Sequence, residues 1–341
     1  MKKETRAGVS EDMSRDTFPR LAEPHRQALK LYCYRMLGSP QDAEDAVQDT
    51  FVKAWNAFNE FEGRASFKNW LYRIATNTCL NTLASRSRKR RLLPEQLGGP
   101  SNGMPQGEPA TEIPWLQPYP DFELEGIADL NPGPEARYQL RESVRLAFMT
   151  AIQQLPPRQR AILILTDAMD WSAAEVGTLL GGSVASVNSV LQRARATMRA
   201  CYGEEERHGR SATDPDHERL LERYVQAWES RDVDGLVSLL KEEAVYSMPP
   251  WRQWYAGRDS IRNLISTVWK SYRGFRLVPV GANTQPAFAL YTLTSEPGVW
   301  NGHSLQVLSV RDDGISQVTK FMKPMGPELF PVFRLPLTLH D

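Results

Sequence analysis

The sequence predicts a multidomain chain: two all-α units, then an α+β cone with a curved antiparallel sheet. Three observations carry that expectation. Apolar residues recur at three- and four-residue spacing from about Pro24 to Arg91 and again from Arg137 to Tyr202. Between them, residues 92–136 hold nine prolines and six glycines, which argues against a helix or central strand there and for an extended linker. Beyond about residue 214, helical patterns give way to a run of strand patterns. We therefore divide the 341 residues into 20–91, 92–136, 137–203 and 214–338, a count that suits the length.

The first unit opens on a helix with Leu29, Tyr32, Cys33, Met36 and Leu37 on its apolar side, ended by Gly38-Ser39-Pro40. The next begins Asp42-Ala-Glu-Asp-Ala-Val-Gln-Asp-Thr-Phe51, with Ala43, Ala46, Val47, Phe51, Ala54 and Trp55 turned inward. Asp42, Asp45, Gln48 and Asp49 share the opposite side. Acids in a first helical turn are favoured by the helix dipole, and they equally suit docking to a basic partner. After Gly63, the segment Phe67-Lys-Asn-Trp-Leu-Tyr-Arg-Ile-Ala-Thr-Asn-Thr-Cys-Leu-Asn-Thr-Leu83 forms a third helix, with Trp70, Leu71, Ile74, Cys79 and Leu83 as its buried stripe. Lys68, Arg73, Asn77, Thr78 and Asn81 fall outside the stripe, and Arg86-Ser-Arg-Lys-Arg-Arg91 follows. Basic groups interleaved with Phe61, Phe67, Trp70 and Tyr72 supply phosphate neutralisation and base stacking, the ingredients of single-strand binding.

In the third stretch, a helix ends at Leu155-Pro-Pro157 and a second runs Arg158–Thr166. Ser172-Ala-Ala-Glu175 reads as a capping box opening a helix to Leu180, Gly181-Gly182 as a turn, and Ser183 as the cap of Val184–Arg199. Val176 and Leu179 can pack against Val187, Val190 and Leu191, which is helix-turn-helix spacing. Ser186, Asn188, Ser189, Gln192, Arg193 and Arg195 stay free of that packing. Small polar residues allow approach to a major groove, and Gln and Arg can reach bases or phosphates. A plain helical hairpin would show the same pattern.

The last unit predicts helices Asp216–Arg231, Asp232–Leu240 and Gly257–Lys270, and a short strand Ala244–Pro250. Strands Phe275–Val280, Ala287–Thr294, His303–Arg311 and Ile315–Met322 follow, the last two joined at Asp312-Asp313-Gly314. Tyr246, Met248, Trp251, Trp254, Tyr255, Tyr272 and His303 are candidates to line a small-ligand pocket, though aromatics of this kind equally form a core. His303, beside Gly302, reads as a surface or hydrogen-bonded histidine rather than a base. No carboxylate falls inside a strand pattern, so we expect no catalytic residue.

Composition narrows the classes. Three scattered cysteines form neither a disulfide framework nor a metal site, so no metal or cofactor is expected. No apolar run approaches a membrane span and no secretory signal opens the chain, which points to the cytoplasm. The net charge of zero hides an alternation: 17 basic against 11 acidic residues in 1–91, none against 8 in 92–136, 8 against 4 in 137–203, and 16 against 18 thereafter. Two basic units suited to nucleic acid are offset mainly by one acidic connector.

The acidic helix Asp42–Phe51 followed by Phe67-Lys-Asn-Trp-Leu-Tyr-Arg-Ile-Ala-Thr-Asn77 resembles region 2 of sigma-70-type factors of the extracytoplasmic-function (ECF) group. Leu155-Pro-Pro-Arg-Gln-Arg160 with the helix pair behind it resembles sigma region 4. The phrases Ala227-Trp-Glu-Ser-Arg-Asp232, Tyr255-Ala-Gly-Arg-Asp259, Asn283-Thr-Gln-Pro-Ala-Phe-Ala-Leu-Tyr291 and Leu329-Phe-Pro-Val-Phe-Arg-Leu-Pro336 resemble the SnoaL-like (NTF2-like) domain appended to some ECF factors. The resemblance implies a sigma factor that binds core RNA polymerase and directs initiation at promoter DNA. Asp42, Asp45, Gln48 and Asp49 would dock on the beta-prime clamp. Asn77 and the residues after it, with Phe61, Lys68, Arg73, Thr78 and Asn81, would capture the −10 element. The second helix of the helix-turn-helix would read −35, with region 4 on the beta flap. The linker would thread toward the basic RNA exit path, and the cone would act in cis as a regulatory or ligand-sensing module. Relatives of the cone include isomerases and polyketide cyclases, so the rival reading is a SnoaL-type enzyme fused to a helix-turn-helix regulator.

Overall fold

The computed structural model describes residues 17–63, 65–85, 90–128, 133–202, 215–311 and 314–341. Arg86, Arg88 and Lys89, part of the basic run, and Asp312 and Asp313 of the expected hairpin turn lie outside them.

The first unit, which resembles sigma region 2, is built from α1 (Phe18–Ala22), α2 (Arg26–Leu37), α3 (Pro40–Ala57) and α4 (Phe67–Ser85). Ser39 caps α3 by accepting from Asp42 N at 3.3 Å, and Pro40 at its first position needs no N–H partner. Leu29, Cys33, Val47, Ala54, Leu71, Ala75 and Cys79 meet in its core.

The proline-rich stretch is not an extended tether. It contains α5 (Phe122–Ala128), and α6 (Pro134–Glu142) begins within it. Its prolines among the described residues sit at helix starts or between elements, where no backbone N–H is lost. Leu93, Trp115, Leu116 and Tyr119 are buried, so the segment is held by packing. Trp115 donates its indole N–H to Ala110 O at 2.8 Å, and Leu116 N reaches Leu92 O at 2.9 Å.

The unit that resembles sigma region 4 comprises α7 (Leu146–Ile152), α8 (Pro157–Leu163, prolonged by a π-helical turn to Ala168), α9 (Ala173–Leu180) and α10 (Val184–Cys201). The capping box forms as the sequence predicts: Glu175 N donates to Ser172 Oγ at 3.3 Å, and Ser172 N to Glu175 Oε2 at 2.9 Å. Gly181 ends α9 at φ +66°, and a Cβ on Gly177 would stand 2.8 Å from Gly182 O, so the tight turn requires both glycines.

The C-terminal unit follows the order α11 (Pro215–Ser230), α12 (Val233–Ser238), β1 (Leu240–Ser247), β2 (Trp254–Ala256), α13 (Arg258–Val268), β3 (Phe275–Ala282), β4 (Gln285–Leu293), β5 (Val299–Arg311), β6 (Gly314–Phe321), α14 (Met325–Leu329) and β7 (Thr338–His340). The sheet runs β2-β1-β6-β5-β4-β3, with β7 on the first part of β5. One pair departs from the expected antiparallel sheet. β1 lies parallel to β6, because the helix and four strands between them return the chain in the same direction. Tyr246, Phe288, Leu290, Leu308 and Val318 line the concave face against Tyr224 and Trp228 of α11. The opposite face, with Ala287, Ala289, Leu305 and Phe321, joins one continuous core with region 2, the linker and region 4.

Candidate functional site

On α3, Asp45, Gln48 and Asp49 are exposed, and Val52, one turn on, is 61% exposed. Positions i, i+3, i+4 and i+7 make one acidic stripe with an apolar end. Asp42 stands apart from it. Its carboxylate is ion-paired with Arg91 and its side chain is 13% exposed, at the junction with the linker. The pairing consumes one base from the run that the sequence assigns to DNA.

Arg73, Asn77 and Asn81 form an exposed line along α4. Thr78 does not share it: it is buried against α3 and receives Lys53 Nζ at 3.0 Å. Phe61 is half-buried, its ring 5.0 Å from Trp70 and 5.9 Å from Phe67. Lys68 lies over the ring of Trp171, just before α9, at 5.7 Å, and Tyr72 packs on the same indole at 5.4 Å. Glu175 at the start of α9 is held below the usual carboxylate range by Ser172, with Asn69 and Lys68 adding smaller effects across the contact. The helix that carries Asn77 is therefore packed directly on the helix-turn-helix.

Along α10, Val187, Leu191, Ala194 and Met198 are buried while Ser186, Asn188, Ser189, Gln192, Arg193 and Arg195 all face solvent. Arg193 donates to Ser189 Oγ at 3.1 Å. Arg195 grips Asp167 with two bonds of 2.7 and 2.9 Å, which already balances its charge.

The units are clamped by buried polar groups. Asn283, in the two-residue β3–β4 turn at φ +56°, is fully buried. Its Oδ1 accepts from Tyr119 N at 2.8 Å, and its Nδ2 donates to Tyr34 Oη at 2.9 Å and to Val144 O at 2.5 Å. One side chain thus joins the cone to the linker, region 2 and region 4. Gln285 Oε1 accepts from Leu146 N at 2.9 Å, at the start of α7. Between regions 2 and 4, Arg160 bonds to Met36 O and to Gln153 Oε1, and Arg35 bonds to Ser143. Neither arginine meets a carboxylate among the described residues, and burial pulls them down to about 9 and about 10 respectively.

The seven candidate pocket residues divide. Trp254 Nε1 donates to Gly98 O at 2.9 Å and Tyr255 Oη to Gly103 O at 2.8 Å, so the linker covers both. Met248 is buried in the hydrophobic cluster of the cone and Trp251 packs against it, and Ala110 N reaches their loop at Pro250 O at 2.8 Å. Glu95 enters the seam between β1 and β6, receives Gln317 Nε2 at 2.7 Å, and is pushed up by burial. Tyr246, Tyr272 and His303 face the interior. His303 is not a surface residue: it is 5% exposed and hydrogen-bonded to Tyr272 Oη at 2.9 Å and Ser304 Oγ at 3.1 Å. Burial, with Lys320 and Lys323 nearby, pushes its imidazole down to about 2. Among the described residues no cluster of three or more metal-ligating side chains occurs, and no helix is long and apolar enough to cross a membrane.

Family models for Sigma-70 region 2, Sigma-70 region 4 and a SnoaL-like domain match residues 21–89, 145–198 and 221–318. The chain is 42% identical over 332 residues to the ECF RNA polymerase sigma factor SigG of Mycobacterium tuberculosis, spanning 96% of this chain and 86% of that protein. This chain belongs to the ECF RNA polymerase sigma factors. The RNA polymerase sigma factor CnrH of Cupriavidus metallidurans is 33% identical over 186 residues, 54% of this chain and 85% of that one. In fold, the sigma factor is similar to the crystal structure of the extracytoplasmic function sigma factor SigJ of Mycobacterium tuberculosis. The TM-score is 0.59 at 21% identity, over 93% of this chain and 99% of that chain.

Sequence reasoning about the sigma factor missed Asn283, Gln285, Arg35 and Arg160 as clamp residues. Asn283 carried a signal only in lying within the six-residue gap between two strand patterns, which marks a turn. The arginines carried none, because an Arg on a helix reads as solvent-facing until its neighbours are known.

Proposed function

We propose that this sigma factor is held closed by its cone and must open to use its promoter-binding surfaces. The contact of α4 with Trp171 and α9 carries the reading. The −10 and −35 elements lie about 25 base pairs apart, ~85 Å at 3.4 Å per pair. Helices in van der Waals contact cannot reach both. On opening, Asp45, Gln48, Asp49 and Val52 dock on the beta-prime clamp, and loss of the Arg91 pair frees Asp42 to join them. Arg73, Asn77 and Asn81 with Phe61 and Lys68 take the −10 strand, an extruded base costing a few kcal/mol that the pocket offsets. Thr78 acts through the packing of α4 on α3. α10 reads −35, region 4 meets the beta flap, and the acidic linker threads toward the basic RNA exit path. The protein works in the cytoplasm, with polymerase and promoter DNA.

The cone is a non-catalytic module that takes a small ligand, whose occupancy biases the closed state. A histidine as weak a base as His303 suits a structural bond to Tyr272 better than proton abstraction. Run-off transcription with core polymerase tests the closed state: a variant with the clamp removed gives more transcript than the wild type. Equal transcript from both would overturn the reading.

Two smaller results are expected. Arg193→Ala lowers the slope of log affinity for −35 DNA against log salt by about one. Arg195→Ala, whose charge Asp167 already balances, changes it less; an equal effect would place the two arginines differently. His303 contributes to acid sensitivity with a definite sign. Its folded pKa is depressed, so only the unfolded chain takes the proton below about pH 6.5, and stability is lost as pH falls from there toward about 2. The slope approaches ~1.4 kcal/mol per pH unit. Urea midpoints between pH 7 and pH 4 should fall less in His303→Gln than in the wild type.

A further inference from the structure

The concave face of the sheet holds a set of polar groups that the sigma-factor activity does not use. Lys320 on β6 is 5% exposed and pairs in register with Gln306 of β5, which is fully buried. The Lys320 Nζ lies 4.6 Å from the centre of the Trp228 ring, and Trp228 lies 4.8 Å from Trp269. Among the described residues Lys320 forms no ion pair. Gln306 gives its carbonyl oxygen to the Tyr224 hydroxyl, which turns its amide nitrogen to the free side. Among the described residues that nitrogen and the indole N–H of Trp269 make no hydrogen bond, though both are buried, while the Trp228 side chain interacts with the Tyr224 hydroxyl.

The buried unmatched atoms of this cluster, on Gln306 and Trp269, are donors, and Lys320 adds a cation beside them. Native interiors match nearly all buried polar groups, and a buried ammonium without a counter-charge costs several kcal/mol. Burial pulls Lys320 down to about 7, so it is charged in a substantial fraction of molecules near neutrality. A donor-only set around one cation selects an acceptor-rich anion of single charge, since a dianion would stay undercompensated. The side chains of the same cluster are aromatic and aliphatic: Trp228, Trp269, Tyr246 and Leu308. They suit an apolar ligand body.

We infer that the interior of the cone binds a small apolar monocarboxylate, with Lys320 as its counter-charge and the Gln306 amide and Trp269 indole as donors. This rests on the reading of the cone as a ligand-binding module and names the ligand's chemistry. The test uses the full-length chain with benzoate, cyclohexanecarboxylate and the neutral isostere benzamide, followed by calorimetry, tryptophan fluorescence and thermal unfolding. The acids should bind and raise Tm, benzamide should bind at least about tenfold more weakly, and Lys320→Met should lose the preference. Lys320→Met should also raise Tm without ligand, because it removes an unpaired buried charge while keeping the volume. Equal binding of benzamide and benzoate, or acid binding unchanged in Lys320→Met, overturns the carboxylate inference and leaves the ligand module standing. No binding by any of the three, with Lys320→Met lowering Tm, overturns both and makes Lys320 structural.

Discussion

Asn283→Gly is expected to open the molecule and raise promoter-specific transcription roughly tenfold or more. Glycine keeps the positive φ of the turn, so the substitution removes the side chain without straining the hairpin. What is lost is the bond from Tyr119 N and the bonds to Tyr34 Oη and Val144 O, all buried. Leaving a buried N–H and a buried carbonyl unmatched costs about 3 kcal/mol, roughly a hundredfold in the closed-to-open ratio. Water can satisfy both groups only if the units part. Small-angle scattering should show a larger radius of gyration, and transcript from core polymerase should rise with it. A variant that stays compact and transcribes as the wild type does would show that the clamp lies elsewhere. This point variant is a cleaner probe than removal of residues 215–341. Truncation would strip the cover from Tyr119 and the apolar core the linker shares with the sheet.

The second large effect is expected at α3. Asp45→Lys with Asp49→Lys should weaken binding to core polymerase by more than about a hundredfold, since like charges across an interface cost several kcal/mol. Both residues are exposed, and neither touches the clamp residues described above, so stability should barely change. Asp42→Asn should act differently. It breaks the pair with Arg91 at the linker junction, and its effect should appear in thermal unfolding as well as in polymerase binding. Undiminished polymerase binding by the double-lysine variant would remove α3 as the docking helix.

Much of this protein was legible without coordinates, for physical reasons. The helices of regions 2 and 4 announced themselves because a 3.6-residue period and a capping box are local properties of the chain. Ser172 and Glu175 bond as their spacing demands. The exposed line of α10 followed from its buried one: Val187, Leu191 and Ala194 fix the face left to Ser186, Asn188 and Gln192. The linker was misread because proline count speaks only to backbone N–H groups, and its Trp115, Leu116 and Tyr119 found partners far away in sequence. Thr78 sits one residue after the exposed Asn77, and 100° around a helix was enough to bury it.

The chain by itself determined which elements form, which faces of them are apolar, and which family they belong to, because propensity, capping and periodicity act over a few residues. Only the tertiary structure decided that Asp42 is paired with Arg91, that α4 rests on the helix-turn-helix, and that Lys320 is buried with no ion pair among the described residues. Each of those depends on groups brought together from distant segments, and the strength of a charge or a donor is set by what surrounds it. The net charge of zero said nothing of this; burial and partnership did.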